Sequence, residues 1–327
     1  MKAYGGESPR GMLVPFTAMH PLVDACSYGV LLAGGVTWER VLAYNVVAFA
    51  LQLPFGVALD ACPALVKGGL FAGTALAVGG AVASVVGAGG WGVLLAVCLG
   101  NALFHLAAGK HLLEEHNGRG GPIGVFIATG ALGLMAGKLG IGHAAGFWPW
   151  IWAGALAVCG LWTAVRWKGG GEGAQGRAAR RSAPTMSAPE RDDGDGVPGM
   201  AALAVLGGLF LLIAWRSWAG LQAGMRTAGG GAVLLFAGAA VTLAGKAAGG
   251  YLGERFGRRR VTAASVGGSA LLAFACDPAW TGAWLVLLFV AQLATGPVLS
   301  MVYDRTGGRG GAAFGLNCLG LFAGSLL

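Results

Sequence analysis

Gly250-Tyr251-Leu252-Gly253-Glu254-Arg255-Phe256-Gly257-Arg258-Arg259-Arg260 joins two long apolar runs, and this stretch decides the fold of the chain. It places one acid, four arginines and three glycines in a connection too short to be a domain. Charged groups are costly in the hydrocarbon of a bilayer, so the stretch predicts a loop at a membrane surface between two spanning helices. Its glycines predict a turn of fixed shape.

The composition of the whole chain also predicts a membrane protein. Of 327 residues, 56% are apolar and 11% are charged, whereas soluble domains carry about 25% charged residues. A single globule cannot bury so much apolar surface, so lipid must cover part of it. The 62 glycines suit helices that pack closely within a membrane. We therefore expect an all-α, polytopic membrane protein.

Apolar runs long enough to cross a bilayer, roughly 20 residues each, recur along the chain. Six lie near 12–34, 41–59, 68–89, 90–108, 122–140 and 147–166, and five near 199–219, 230–252, 261–277, 281–302 and 310–327. Between them, 168–198 is rich in Gly, Ser, Pro, Arg and Asp, which predicts a flexible linker. We expect a six-helix bundle over 1–167, a cytoplasmic linker over 168–198 and a bundle of about five helices over 199–327. A twelfth span would complete the second half, and we expect one in the natural protein or in its fold relatives.

The basic residues predict the orientation, because cytoplasmic loops carry an excess of Lys and Arg. With the N-terminus inside, only Arg40, Lys138 and Arg226 fall in loops on the outer side. We expect a multi-pass protein of the plasma membrane, the inner membrane of a bacterium, with a cytoplasmic N-terminus.

Several classes of protein are not expected. The net charge of +8 comes from short loops between apolar runs, which argues against nucleic acid as a partner. None of the six cysteines forms a C-x-x-C pair, and His111 and His116 with Glu114 and Glu115 fit no strong metal spacing. No phosphate-binding loop or catalytic word is present. We expect no enzyme, no cofactor and no metal, but a monomer whose partners are the bilayer, protons and a small-molecule substrate.

The layout of six spans, a cytoplasmic linker and a second set resembles the major facilitator superfamily. That family carries G-x-L-x-D-R-x-G-R-R between the second and third helices of each half. The quoted stretch is similar to it at Gly250, Leu252, Arg255, Gly257, Arg258 and Arg259. Glu254 takes the place of the aspartate, and a weaker copy in the first half keeps Gly56 and Asp60 but has Ala61 where the arginine would stand. The resemblance implies a secondary transporter with two repeated halves.

Shorter words resemble a narrower group, the efflux proteins of the fosmidomycin-resistance type. His20-Pro21-Leu22-Val23-Asp24 resembles their H-x-x-x-D, Arg216-Ser217-Trp218 their R-S-W, and Phe104-His105 their F-H-P, although Leu106 replaces the proline. The fifth run resembles their glycine-rich fifth helix at Gly124, Gly130, Gly133 and Gly137.

Ionisable groups inside spans mark function or pairing, because burying them in a membrane is costly. His20 and Asp24 lie one turn apart on the same helix face. Together with His105 they are the candidates for proton coupling, since an acid in a dry cavity and a histidine both titrate near neutral pH. The alternatives are a His20–Asp24 pair that fixes helix packing, and a core histidine at 105 bonded to a backbone carbonyl.

Arg216, Lys246 and Gln292 are the candidates for substrate binding. The resemblance implies a central cavity lined by the first, fourth, seventh and tenth helices. The first carries His20 and Asp24, the fourth His105, the seventh Arg216 and the tenth Gln292. A guanidinium suits a carboxylate or phosphonate, so an anionic or zwitterionic substrate is favoured. The alternatives are an ion pair between Arg216 and Asp24, and snorkelling of Lys246 to the membrane surface.

The resemblance also implies that the loop acids form a cytoplasmic gate. An acid is stabilised at a helix N-terminus, and Asp60 should meet the start of the eleventh helix and Glu254 the start of the fifth, with Arg255 bracing Glu254. The alternative is that the arginines only set topology. Because the first copy is incomplete, we expect a lopsided gate in which Glu254 and Arg255 provide most of the closure.

The function expected from the sequence is secondary active transport by alternating access. Proton-coupled export by an antiporter is the first expectation. The alternatives are an importer on the same fold and a membrane sensor or scaffold that has lost transport.

Overall fold

The computed structural model describes residues 11–142, 147–167, 199–228, 231–275 and 280–327. These residues form fourteen α-helices and one π-helical segment, and no strand. The all-helical fold class is therefore confirmed for this part of the chain. The predicted linker at 168–198 lies outside the described residues.

The first half is a bundle whose helices coincide with the first six apolar runs. They are α1 (Leu13–Ala33), α2 (Trp38–Asn45), α3 (Gln52–Ala61), α4 (Leu65–Val85), α5 (Trp91–Glu115), α6 (Gly120–Ala128), α7 (Gly130–Gly142) and α8 (Trp148–Arg166). The π-helical segment Val46–Ala50 joins α2 to α3 within one run. Helices α6 and α7 also share one run and are separated only by Thr129.

The second half repeats this plan with fewer helices. They are α9 (Met200–Ala228), α10 (Gly231–Phe256), α11 (Arg258–Ala275), α12 (Thr281–Gln292), α13 (Thr295–Arg305) and α14 (Gly310–Ser325). Helices α12 and α13 share one apolar run that is interrupted at Leu293 and Ala294. Each half therefore contains a broken helix in the middle of a span.

Seven helices or joined helices are long and apolar enough to cross a membrane by length and composition. They are Trp38–Ala61, Leu65–Val85, Trp91–Glu115, Gly120–Gly140, Met200–Ala223, Gly231–Phe256 and Thr281–Arg305. Large apolar side chains such as Phe274 and Val165 are almost fully exposed, as expected of a surface that lipid covers. The count of about eleven spans stays a prediction.

The quoted stretch makes the predicted turn at Gly257, and its residues on either side are helical. Gly257 is the only residue between α10 and α11, and its φ of +97° lies where residues with a Cβ are strained. The turn lies at the same end of the bundle as the α3–α4, α5–α6 and α13–α14 turns, and this end is called the loop side below.

The two halves meet at the loop side through two similar glycine contacts. Gly56 of α3 packs on Gly311 of α14, and Gly250 of α10 packs on Gly120 of α6. A Cβ on Gly56, Gly311 or Gly250 would collide with backbone of the facing helix. Glycine thus lets the backbones approach closely, as is usual between membrane helices. Helices α3 with α14 and α6 with α10 form the interface between the halves.

Candidate functional site

A buried polar cluster joins α1 and α5 in the first half. His20 Nε2 lies 3.2 Å from Asp24 Oδ2, and His105 Nε2 lies 3.5 Å from Asp24 Oδ1. All three residues are between 4% and 9% exposed. The structure thus brings together the three residues that the sequence proposed for proton coupling.

The other ring nitrogens fix how the two histidines are protonated. His20 Nδ1 lies 2.6 Å from the carbonyl oxygen of Phe126, and His105 Nδ1 lies 2.8 Å from the carbonyl oxygen of Asn101. A carbonyl oxygen only accepts, so both Nδ1 atoms must carry protons. In a neutral imidazole Nε2 then bears a lone pair, and here it faces a carboxylate that also only accepts. The contacts are favourable only when a cation lies between these atoms, and a proton is the smallest such cation.

A metal ion could answer the same need, since the three ligand atoms lie within 4.8 Å of one another. Metal-bound histidines often donate their second N–H to a carbonyl, as these do. Ligand atoms of a tetrahedral ion held at about 2.0–2.2 Å stand roughly 3.3–3.6 Å apart, and the two histidine–carboxylate contacts of 3.2 and 3.5 Å match this spacing. The geometry therefore suits either a proton or a metal ion at this cluster.

The helix break at Thr129 builds part of this cluster. Because α6 ends at Ala128, the carbonyl of Phe126 loses its partner in the helix. It accepts instead from His20 Nδ1 and from the Thr129 hydroxyl at 2.9 Å. Gly130 then lies against the cluster, where a Cβ would stand 2.7 Å from Asp24 Oδ2. Gly130, Gly133 and Gly137 are thus explained by the close packing of α7 on α1, whereas Gly124 of α6 packs on the backbone of Lys246 in α10.

Asn101 orders the cluster from the side. Its amide nitrogen donates to Asp24 Oδ1 at 2.9 Å and to the Ser27 hydroxyl at 3.0 Å. Ser27 in turn lies 3.3 Å from the Tyr44 hydroxyl. Asp24 therefore has partners on every side within the first half.

Arg216 of α9 forms a second buried site, at the other helix break. Its Nη1 donates to Gln292 Oε1 at 3.1 Å and to the Thr295 hydroxyl at 2.9 Å. Those residues end α12 and begin α13. Arg216 is only 5% exposed, and its Nε has no partner among the described residues. Among the described residues no carboxylate pairs with Arg216, so the alternative of an ion pair between Arg216 and Asp24 is not seen.

Lys246 lies between the two sites. It is half-buried on α10, close enough to both Asp24 and Arg216 for the charges to interact. Its amine makes no hydrogen bond or ion pair within the described ranges. Together, Arg216 and Lys246 place two positive charges beside the interface of the halves. The buried acid near them is Asp24.

At the loop side, Asp60 lies at the start of α14. Its two carboxylate oxygens accept from the backbone N–H of Gly311 at 2.9 Å and of Ala312 at 2.7 Å. Lys110 Nζ also donates to Asp60 Oδ1 at 2.7 Å. The eleventh apolar run thus begins on this carboxylate, as the resemblance implied.

Glu254 lies at the start of α6 in the same manner. Gly121 N–H donates to Glu254 Oε1 at 2.8 Å, and Arg119 Nη2 donates to Glu254 Oε2 at 2.7 Å. His116 is also in this turn, but burial lowers its pKa, so Arg119 is the cation of the turn at neutral pH. We call the Asp60 and Glu254 contacts together the loop-side gate.

Two expectations about this gate are wrong. Arg255 does not brace Glu254; its guanidinium lies over the Phe256 ring at 5.3 Å. The gate is not lopsided either, since Asp60 accepts from two backbone donors and from Lys110. Lys110 supplies the positive charge that an arginine at the position of Ala61 would supply in the family's motif.

The remaining loop residues are placed as follows. Arg258 Nη1 lies 2.5 Å from Asp304 Oδ2, an ion pair at the loop-side surface. Arg259 is exposed. Neither contacts the carboxylates of the gate.

Sequence reasoning missed Asn101, Thr295, Lys110 and Arg119. Asn101 could have been found, because it stands four residues before His105 and so on the same helix face. Lys110 and Arg119 were counted only as topological charges. Their roles depend on which helix ends lie opposite them.

No family model matches the sequence, and no curated protein matches it. Solved structures do match over nearly the whole chain. The human organic anion transporter MFSD10 (TETRAN) is 16% identical with a TM-score of 0.63, covering 98% of this chain and 93% of its own. The major facilitator superfamily transporter FucP, in the outward conformation, is 14% identical with a TM-score of 0.60, covering 96% and 90%. A variant of the E. coli fucose:proton symporter FucP gives 14% and 0.56, with the same coverage.

At these identities the likeness shows the fold alone. The chain has the fold of major facilitator superfamily transporters and is a multi-pass membrane protein. The narrower resemblance to the fosmidomycin-resistance type is not tested by these structures.

Proposed function

We propose that the chain is a secondary active transporter that couples protons to the movement of a small anion by alternating access of its two halves. The observation that carries the proposal is the His20–Asp24–His105 cluster. Its two Nε2 atoms face a carboxylate, an arrangement that is stable only while a cation is held there, and in this proposal the cation is a proton. A group that must gain or lose a proton with its surroundings is what a proton-driven transporter requires.

Arg216 and Lys246 support an anionic substrate. A buried guanidinium whose Nε has no partner and which no acid neutralises among the described residues is poised for a carboxylate or phosphonate, which it binds through parallel N–H donors. Gln292 and Thr295 would orient that fork, and Lys246 would add a second charge from the neighbouring helix. One of the matching structures is named for organic anions, and that name is in keeping with this substrate class.

Export by proton exchange is the first direction that we propose. One observation supports the alternative, which is import of the anion together with protons. The His20–Asp24–His105 cluster and the cationic site of Arg216 and Lys246 lie near one another. A proton on the cluster adds positive charge, which strengthens the binding of an anion in the same low-dielectric space. Reciprocal coupling then makes the anion strengthen proton binding, which favours movement in the same direction.

Proton flux into vesicles tests the proposal without knowledge of the substrate. The purified protein is placed in liposomes that contain a pH-sensitive dye, and small carboxylates, phosphonates and neutral sugars are added one at a time. We expect at least one anion, and no neutral sugar, to elicit a proton flux that Asp24→Asn abolishes. With the anion added outside, acidification of the vesicle lumen indicates symport, and alkalinisation of the lumen indicates exchange.

If no compound elicits a flux, or if Asp24→Asn leaves the flux unchanged, the proposed role of the cluster fails. A chain that folds stably and moves nothing would favour the sensor or scaffold.

We further propose that the loop side and the N-terminus face the cytoplasm of a bacterial cell. Cys62, an exposed thiol in the α3–α4 turn, reports on this. A membrane-impermeant maleimide should label it in inside-out vesicles and not in whole cells. Labelling in whole cells would reverse the orientation.

A further inference from the structure

The same four residues begin α6 and α14. Gly118-Arg119-Gly120-Gly121 precedes and enters α6, and Gly308-Arg309-Gly310-Gly311 precedes and enters α14. The first glycine of each has a positive φ, +68° and +76°. In each, the N–H of the last glycine donates to an acid of the opposite half, Gly121 to Glu254 and Gly311 to Asp60. The two halves thus hold one another by two copies of one device.

The copies differ in the cation that accompanies the acid. At α6 the arginine of the repeat, Arg119, donates to Glu254. At α14 the corresponding Arg309 is exposed, and its guanidinium makes no hydrogen bond or ion pair within the described ranges. The cation at Asp60 is instead Lys110, which comes from α5.

Lys110 is unusually buried for a lysine. It is 3% exposed and lies between two carboxylates, with Nζ 2.7 Å from Asp60 Oδ1 and 2.5 Å from Glu114 Oε1. Glu114 also accepts from the backbone N–H of Gly310, the first residue of α14, at 3.4 Å. One lysine therefore aligns two acids, and each of them contacts the start of α14.

We propose that Lys110 is the positioning residue that keeps the loop-side gate shut at Asp60, in place of the arginine that the first-half loop lacks. Closure by α14 takes Asp60 and Glu114 out of water, and without a cation two adjacent carboxylates would be buried together. When the halves part, water solvates both acids and the lysine matters less. Loss of Lys110 should therefore favour the open state. This inference rests on the proposed alternating access.

Other titratable groups lie close to this point. Glu115 pairs with His111 and His116, at 3.8 and 3.9 Å, on α5 and in the turn that follows it. Arg309 stands before α14. None of them contacts Lys110 Nζ, so the two acids are the groups whose protonation should respond to its loss.

Distances between spin labels test the proposal. The labels are placed on Cys62 in the first half and on Arg260→Cys in the second, both exposed at the loop side, with the other cysteines replaced. In Lys110→Met we expect the ratio of open to closed states to rise about 10- to 100-fold, the range for losing a hydrogen bond to a charged group. Lys110→Arg should keep the wild-type ratio.

Three further measurements separate positioning by charge from general damage. Lowering the pH should restore closure in Lys110→Met, because protonation removes one buried charge. Glu114→Gln should restore it at neutral pH for the same reason. Lys67→Met, at an exposed lysine of α4 on the same side, is the matched control and should leave the ratio unchanged.

An unchanged ratio in Lys110→Met, or an equal shift in Lys67→Met, would overturn the inference. A shift that neither acid pH nor Glu114→Gln reverses would overturn the charge argument. If Lys110→Met does not fold, Lys110→Gln carries the same test. The proposed function fails separately: wild-type vesicles without proton flux refute it even if Lys110 controls the gate, and normal flux without a Lys110 effect refutes only the inference.

Discussion

A single methyl group at Gly130 should separate His20 from Asp24 without changing any ionisable residue. In the structure a Cβ at this position would lie 2.7 Å from Asp24 Oδ2 and 2.8 Å from His20 Nε2. These are the two atoms whose 3.2 Å contact closes the proton cluster. Gly130→Ala therefore presses a carbon against both atoms.

The size of the effect follows from these distances. Ordinary contact with a Cβ begins at 3.4 Å, so the carboxylate oxygen must move by 3.4 − 2.7 = 0.7 Å. When both atoms move out to that contact distance from the Cβ, the oxygen and the His20 nitrogen stand roughly 4 Å apart instead of 3.2 Å, which is beyond hydrogen-bond reach. Overpacking of this kind costs about 1–3 kcal/mol, which the better helix propensity of alanine offsets by about 1 kcal/mol.

Two measurements on a matched pair of variants check this prediction. Gly154→Ala has the same change of residue in α8, but nothing lies within 4 Å of its Cβ. Thermal unfolding of the purified proteins should rank Gly154→Ala above wild type and Gly130→Ala below Gly154→Ala. Proton flux in vesicles should be normal in Gly154→Ala and strongly reduced in Gly130→Ala. If the two variants behave alike in both measurements, the packing of α7 does not hold the cluster in shape.

Three other substitutions test the remaining contacts. Arg216→Met should abolish anion-elicited proton flux but keep or raise the unfolding temperature, because it removes a buried charge that no acid neutralises; a protein that unfolds would contradict this. Arg119→Gln should weaken loop-side closure by about 0.2–1 kcal/mol, the range for exposed ion pairs. Arg255→Gln should leave the distances between the spin labels unchanged. A larger effect of Arg255→Gln than of Arg119→Gln would restore the role that the sequence predicted for Arg255. Asn101→Leu should destabilise the protein by about 1.5–3 kcal/mol, since the Asp24 carboxylate loses a hydrogen bond, and an unchanged unfolding temperature would show that this bond contributes little.

Much of the fold could be predicted because the bilayer imposes simple rules on sequence. The apolar runs coincide with helices, and the charged stretch at Gly250–Arg260 is a turn at the end of the bundle. The candidates inside spans were few, since ionisable groups are rarely tolerated there. For that reason the few candidates included His20, Asp24 and His105, which contact one another in the structure. They also included Arg216 and Gln292, which form a hydrogen bond.

The role of Arg255 could not be predicted in this way. Its identity matched a motif, but the direction in which a side chain points depends on the helix face that the neighbouring bundle covers. Asp60 was undervalued for the same reason. Its cation is fifty residues away, on a helix that reaches it only after folding.

The sequence by itself determined that the chain lies in a membrane, where it turns and which ionisable residues stand inside its apolar runs. Each of these follows from the cost of transferring charge or backbone polar groups into lipid, and that cost is local. The tertiary structure alone decided which atoms those residues face. Helix ends exert their partial charge only on groups that packing brings within a few ångströms. The contacts of Lys110 with Asp60, of Arg119 with Glu254 and of His20 with the carbonyl at the helix break are therefore visible only in the folded structure.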